Sequence, residues 1–316
     1  MTRFDQGLPA YDELPVLDGL NMPHAWDFFG REDNLGSINF LTPSRVKSAA
    51  SLVHSGEMVN LSLPFDEPAP PLFGREAYTH DVFSLDRNTL DDRVDSLYMQ
   101  ASSQWDGLRH IRAREFGYFT GITEDFRPGR GRLGIEHWVE HGIAGCGVLL
   151  DVAAYFAASN RIYEPLKTTT IMADDLEATA EYQGVSVEPG DLLCIHFGWI
   201  DAYRSLSAEQ RATYVTNVSH AGLEGSAAMT KRLWDWHVAA VLCDNTAVEV
   251  VPGDPAIGSL HRRMIPLLGM AFGEMFDFSV LREKLRTRGS WRFMFTAAPL
   301  HVPGAIGSPA NVMAIL

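Results

Sequence analysis

Gln100-Ala101-Ser102-Ser103-Gln104-Trp105-Asp106-Gly107-Leu108-Arg109-His110 is the stretch around which the rest of the chain is organised. Four side chains with hydrogen-bonding or metal-ligating atoms, Gln100, Gln104, Asp106 and His110, stand at even spacings, with Trp105 and small residues between them. Side chains of an extended chain alternate with a period of two, so a strand would put all four on one face; a helix would pair Gln100 with Gln104 and Asp106 with His110. Either geometry makes the polar groups converge. Taken alone, such a cluster also suits a solvated polar face, so the surrounding chain has to decide between a site and a surface.

The 316 residues are 46% hydrophobic, enough to bury a substantial core, and fit one large domain better than two small ones. A formal charge of −14, from 26 Lys+Arg against 40 Asp+Glu, disfavours nucleic acid or an anionic membrane as partner, because both require a basic footprint. Cys146, Cys194 and Cys243 are odd in number, far apart and free of any Cys-x-x-Cys, which points away from a disulfide framework and from a thiolate zinc site. Their apolar neighbours suit buried free thiols in a reducing compartment. Met1-Thr2-Arg3-Phe4-Asp5-Gln6-Gly7 lacks an apolar core of a leader peptide, and no run of about 18 apolar residues occurs. A cytoplasmic location is expected.

Residues 1–35 are rich in Gly, Pro, Asp and Asn with scattered aromatics, which predicts an irregular arm ahead of a domain over 36–316. Thr42-Pro43 gives a cap and a first-turn proline for a helix over 43–54, and Met58–Leu63 alternates as a strand. Four prolines between Pro64 and Pro71 make 64–78 a long loop, and long loops in compact domains tend to cover sites. Residues 82–85 and 95–99 are weak strand candidates. Continuous apolar runs at 147–152, 192–197 and 238–243 predict buried strands. Helices are expected near 134–142, 174–183, 207–214, 224–236, 258–266 and 277–287, with strands near 269–272 and 291–297. The glycine-rich 127–134 segment does not join a strand to a helix and is a basic turn, not a phosphate loop. Strands alternating with helices through the second half argue for an α/β architecture.

The central stretch resembles the signature of the cyclase family that includes bacterial kynurenine formamidases and isatin hydrolases, His-x-Gly-Thr-His-x-Asp-x-x-x-His. Asp106 and His110 match it; Gln100 and Gln104 stand where the family has histidines. The resemblance continues in Gly30–Thr42, Pro189–Trp199, Asp244–Glu249, in His261 and Glu274 thirteen residues apart, and in Pro299–Asn311. It implies a single-domain kynurenine-formamidase-like fold of the swivelling β/β/α type, a homodimer or homotetramer, and metal-assisted hydrolysis of a cyclic or aromatic amide or lactone. It also implies that Asp106, His261 and Glu274 hold one divalent cation (Mn, Zn or Mg) and that His110 moves protons.

Two carboxylates and an imidazole leave a coordination position for water, whose pKa a divalent ion brings toward neutrality. A carboxamide is a weak oxygen donor that zinc does not favour, so the glutamines argue against a two-metal centre. A metal-free alternative stays open, in which Asp106, His110 and Glu274 form an acid/base cluster and Gln100 and Gln104 bond a substrate carbonyl or enolate, as in a cyclase, dehydratase or isomerase. So does a non-catalytic binder of a small metabolite. Trp105, Tyr118, Phe116 and His220 are candidate substrate contacts; as ordinary structural residues they would be core aromatics and a bonded core histidine. The nine histidines other than His110 and His261 show no ligand spacing, His220 being the most plausible pocket residue among them.

Overall fold

The buried apolar runs form the parallel centre of a nine-stranded sheet in the computed structural model, which describes residue 4 and residues 7–316. In chain order its strands are β1 (Met58–Asn60), β2 (Gln104–Asp106), β3 (Ile143–Asp151), β4 (Leu192–His196), β5 (Ala240–Cys243), β6 (Ala271–Glu274), β7 (Arg292–Ala297), β8 (Gly307–Pro309) and β9 (Val312–Ile315). Their spatial order is β8-β2-β6-β5-β4-β3-β7-β9-β1. The four central strands β3, β4, β5 and β6 run parallel, and every residue of β4, β5 and β6 is buried. Parallel strands covered on both faces need side chains that are apolar throughout, which is what the 192–197 and 238–243 runs supply. β2 and β8 close one flank antiparallel, and β7, β9 and β1 the other.

Helices α1 (Pro43–Ala50), α2 (Val152–Ala158), α3 (Ala173–Gln183), α4 (Ala227–Asp235), α5 (Leu260–Leu268) and α6 (Ser279–Arg288) accompany this mixed sheet. The helix expected over 43–54 ends at Ala50, where the chain tightens into i→i+3 bonds from Ser51 to Ser48 (3.1 Å) and Leu52 to Ala49 (3.0 Å). The strand expected over 58–63 stops at Asn60, whose carboxamide bonds both backbone groups of Ser62 and turns the chain. A helix at Trp199–Ser205 and the strand β8 have no counterpart in the sequence reading. β8 carries Pro309 and sits at the sheet edge, where a missing N–H costs no ladder bond. The strand candidates at 82–85 and 95–99 are displaced: the ordered strands are Thr79–Ser84 and Leu90–Asp95, a hairpin separate from the main sheet.

The N-terminal segment is irregular but integral to the packing. Tyr11, Trp26 and Phe29 are buried in the main core, the Trp26 indole donates to Pro266 O (2.7 Å), and Ala25 N donates to Leu267 O (2.9 Å), pinning the segment to α5. Residues 1–3, 5 and 6, where the absence of a leader was read, lie outside the described residues. Among the described residues no helix is long and apolar enough to cross a membrane. Cys194 and Cys243 are buried free thiols and Cys146 is a partly buried one.

The Gly30–Thr42 segment earns its composition by locking the α5–β6 turn. Asp33 Oδ1 accepts from Leu35 N (3.0 Å) and Gly36 N (2.6 Å), Ser37 N donates to Gly269 O (2.8 Å), and Ser37 Oγ links Ala239 O to Ala271 N. Gly36 lies at φ +58, and a Cβ there would sit 2.1 Å from Gly269 O. Replacing Gly36 by Ala is therefore expected to cost about 1–3 kcal/mol through backbone strain and a main-chain clash. A urea denaturation midpoint matching that of the unaltered protein would contradict this.

Candidate active site

β2 and β6 are antiparallel, with Gln104 opposite Glu274 and Asp106 opposite Phe272. Residues opposed across a ladder share a face, as do i and i+2, so Gln104, Asp106 and Glu274 project together. His261 is delivered to that face by the first turn of α5. Its Nε2 lies 3.1 Å from Glu274 Oε1 and 3.5 Å from Asp106 Oδ2. Ligand atoms of Asp106, His261 and Glu274 all fall within 4.8 Å of one another, and no other set of His, Cys, Asp and Glu among the described residues meets that condition.

Each member is held by a further residue. Gln104 Nε2 donates to Glu274 Oε2 (2.6 Å), which leaves Gln104 Oε1 buried without a partner. Gln100 Nε2 donates to Asp106 Oδ1 in a short hydrogen bond and lies 3.3 Å from His110 Nδ1. Glu249 Oε1 accepts from His261 Nδ1 (2.9 Å) and from Ser259 Oγ (2.9 Å). With Nδ1 committed to Glu249, Nε2 is the nitrogen turned toward Asp106 and Glu274. Neither of the two geometries weighed for residues 100–110, strand or helix, spans the stretch: β2 has only three residues, and Gln100 and His110 return to Asp106 from turns on either side of it. His110 Nε2 comes within 3.8 Å of Asp106 Oδ2.

Burial and mutual charge set the protonation states. Burial pushes Glu274 up, reinforced by the Asp106 charge, to about 7. Burial also raises Asp106, but the facing His110 and His261 outweigh it and hold Asp106 below the usual carboxylate range. For His261 the penalty of burial is overcome by hydrogen bonds to Asp106, Glu249 and Glu274, which keep the imidazole protonated well above its ordinary pKa. Burial lowers His110, only partly offset by Asp106, so this ring is neutral at neutral pH. Asp106 and Glu274 themselves are 1% and 3% exposed. Beside them lies a cavity of about 920 Å³, lined by His110 and Glu249 but by none of Asp106, His261 and Glu274, and walled by Leu20, Met22, Ile111, Tyr118, Val250 and Val251 with four arginines and Asp254.

Trp105 and His220 are placed away from this cavity, contrary to the expectation that they contact substrate. Trp105 alternates to the opposite face of β2, where it is fully buried against Trp138, Phe276 and Phe295 and its indole donates to Ala310 O (3.1 Å). His220 is buried with both nitrogens bonded, to Ala221 O (2.9 Å) and Thr246 Oγ1 (2.8 Å), and burial pushes it down to about 4. Tyr118 does line the cavity, while Phe116 packs near Gly19. Two residues were not nominated from sequence. Glu249 was legible only as the last letter of the Asp244–Glu249 resemblance. Arg75, from the proline-rich loop, is coupled electrostatically to Asp106, Glu274 and His110.

A second buried charge cluster caps the neighbouring parallel strands. His196 Nδ1 bonds Asp151 Oδ1 (2.9 Å), and its Nε2 faces Asp244 (3.8 Å) and Asp201 (3.9 Å). Asp244 accepts from the Phe197 (2.7 Å) and Trp199 (2.9 Å) amides, tying the end of β5 to the turn after β4.

With this geometry in view, the chain belongs to the cyclase family: the family's sequence profile, described as "Putative cyclase", matches residues 59–250, more than half the chain. A solved structure described as a novel cyclase is 28% identical, covers 93% of this chain and 99% of its own, and superposes with a TM-score of 0.81. Isatin hydrolase A from Ralstonia solanacearum (14% identity, 87% of this chain, 98% of its own, TM-score 0.59) and isatin hydrolase A from Labrenzia aggregata (12%, 84%, 94%, 0.58) share the fold. No curated protein matches this sequence.

The His196 cluster makes stability pH-dependent. Although burial opposes it, Asp244 and Asp151 raise His196 to about 10, so its contribution is fully present below the unfolded histidine value near 6.5 and fades as pH climbs from there to about 10. Melting temperature should fall across that window, and His196→Gln should be less stable by about 3–5 kcal/mol at pH 6 with a flatter pH slope above 7. Equal slopes for the two proteins in a calorimetric pH series would disprove this role.

Proposed function

We propose that this chain is a hydrolase of a cyclic or aromatic amide or lactone-type small molecule, working with one divalent cation held by Asp106, His261 and Glu274. The observation that carries the reading is the convergence of ligand atoms of Asp106, His261 and Glu274 within 4.8 Å of one another, the two carboxylates buried and the imidazole partly so, next to a cavity lined by His110 and Glu249. The donor set fits a cation: two carboxylates and one imidazole, plus the buried and unpartnered Gln104 Oε1 on the carboxamide that already bonds Glu274. With oxygen in the majority, manganese or magnesium suits the set better than zinc. A divalent ion supplies Lewis-acid polarisation and lowers the pKa of water at such a site.

The chain's own residues do the rest. Glu249 orients His261, Gln104 orients Glu274 and Gln100 orients Asp106, so every charged group reaches the site in one rotamer. His110 stands between the cavity and Asp106, partly exposed and neutral. A neutral ring can take up a proton from attacking water and pass it on to a departing amine or alkoxide. Arg75, coupled electrostatically to Asp106 and Glu274, adds a positive charge near the site. The apolar side chains along one wall of the cavity suit a ring.

One observation favours a second reading. His261, as an imidazolium, already supplies a counter-charge to Asp106 and Glu274, and a Glu274 carboxyl near 7 is matched to proton transfer at neutral pH. A metal-free acid/base catalyst of cyclisation, dehydration or isomerisation would use those same groups.

Elemental analysis of the purified protein separates the two: about one equivalent of Mn, Mg or Zn per chain is expected, lost in Asp106→Asn and Glu274→Gln while far-UV circular dichroism stays unchanged. A folded, active protein without metal would establish the second reading. Glu249→Gln should weaken binding of added Mn²⁺ about 10–100-fold by calorimetry, because it frees the His261 ring. Unchanged affinity would remove Glu249 from the site.

A further inference from the structure

On a chain of net charge −14, the cavity beside the site is a cationic exception. Arg112, Arg114, Arg262 and Arg263 line it against two carboxylates, Glu249 and Asp254. Both carboxylates are already engaged with their own surroundings. Glu249 accepts from His261 Nδ1 (2.9 Å), Ser259 Oγ (2.9 Å) and the Leu260 amide, and Asp254 Oδ1 accepts from Ala256 N (2.8 Å). Neither forms an ion pair with an arginine among the described residues.

The four arginines are of two kinds. Arg112 donates to Arg114 O (3.0 Å), Thr123 O (3.4 Å) and Asp125 Oδ1 (3.3 Å), and Arg263 to Gly225 O (3.0 Å) and Ile257 O (2.9 Å), so these two are spent on the protein itself. The exposed side chains of Arg114 and Arg262 make no hydrogen bond or ion pair among the described residues. Both also stand where the backbone disfavours them. Arg114 lies at φ +49, a left-handed conformation that a residue with a Cβ enters at a cost, and Arg112 bonds its carbonyl there. Arg262 is in the first turn of α5, where the helix dipole penalises a positive charge. Two unpaired guanidinium groups, each kept at an unfavourable position on one cavity, are a place for an anion.

Resting on the hydrolase reading above, we propose that the substrate is itself an acid: a cyclic or aromatic compound carrying a carboxylate that Arg114 and Arg262 receive, with its ring along the apolar wall near His110. The planar guanidinium fork matches a carboxylate. A phosphate would also call on backbone amides, and those at the start of α5 are taken by Glu249, which bonds Leu260 N and lies 3.5 Å from His261 N. A volume of about 920 Å³ is at the large end for small-molecule pockets and leaves room for an acidic arm beyond a ring. Hydrolysis creates a carboxylate of its own, but beside Asp106, His261 and Glu274, none of which lines the cavity. The group the arginines take is a second one, present before the reaction.

Calorimetric titration of the full chain with phenylacetate and with phenylacetamide, which matches it in ring and shape but carries no charge, tests this. The unaltered protein is expected to bind the acid about 10-fold more tightly than the amide, with the difference shrinking as sodium chloride is raised. Arg114→Gln/Arg262→Gln should bind both alike, while its circular dichroism and its affinity for Mn²⁺ match those of the unaltered protein. Arg114→Lys/Arg262→Lys should recover part of the preference, and Asp106→Asn should keep it. An unaltered protein that binds the acid no more tightly than the amide at millimolar concentration overturns the proposal. So does a preference that survives the double glutamine variant, or one that Asp106→Asn abolishes. Mn²⁺ binding reports on the hydrolase reading and the acid preference on this proposal, so each can fail alone.

Discussion

The pairing of Gln104 with Glu274 across β2 and β6 is the constraint on which the site depends. A shift of β2 by one residue in that ladder would send Gln104 and Asp106 into the core, away from Glu274, and turn Trp105 toward the site. The register is fixed from the other side, by a fully buried Trp105 whose indole must find Ala310 O. Core packing thus decides which way the chemistry faces, and the motif's alternation of polar and bulky residues makes the two demands compatible.

Two carboxylates buried side by side would repel each other and unfold the edge of the sheet unless something compensates. Here the compensation is His261, backed by Glu249 and delivered by a helix whose C-terminal turn is clamped through Gly36, Ser37 and Gly269. The conspicuous Gly30–Thr42 stretch touches no part of the site. Its effect travels through α5: by fixing where that helix ends, it fixes where His261 begins. The same economy recurs at the ends of β3, β4 and β5, where His196 neutralises Asp151 and Asp244.

Relative to the family signature, the chain keeps the aspartate and last histidine of the central motif and replaces two imidazoles with carboxamides. The structure gives both glutamines defined work. Gln100 steadies Asp106 and Gln104 steadies Glu274, and the remaining oxygen of Gln104 lacks a partner among the described residues. On the proposed reading, oxygen donors in place of nitrogen favour a harder cation.

Much of this was legible in the sequence because it follows from local rules. Apolar runs at 192–197 and 238–243 can only be strands covered on both faces, and Asp106, His261 and Glu274 could be singled out as a set by the resemblance to the cyclase signature. The hairpin escaped, since its strands bury nothing and so lack the amphipathic pattern that marks a strand, and β8 escaped because its proline is tolerated only at an edge. The roles of Trp105, His220, Glu249 and Arg75 were decided by tertiary structure alone. Which face a side chain takes, and which distant residue meets it, depends on register and on helix placement, and both are set by packing between segments more than a hundred residues apart.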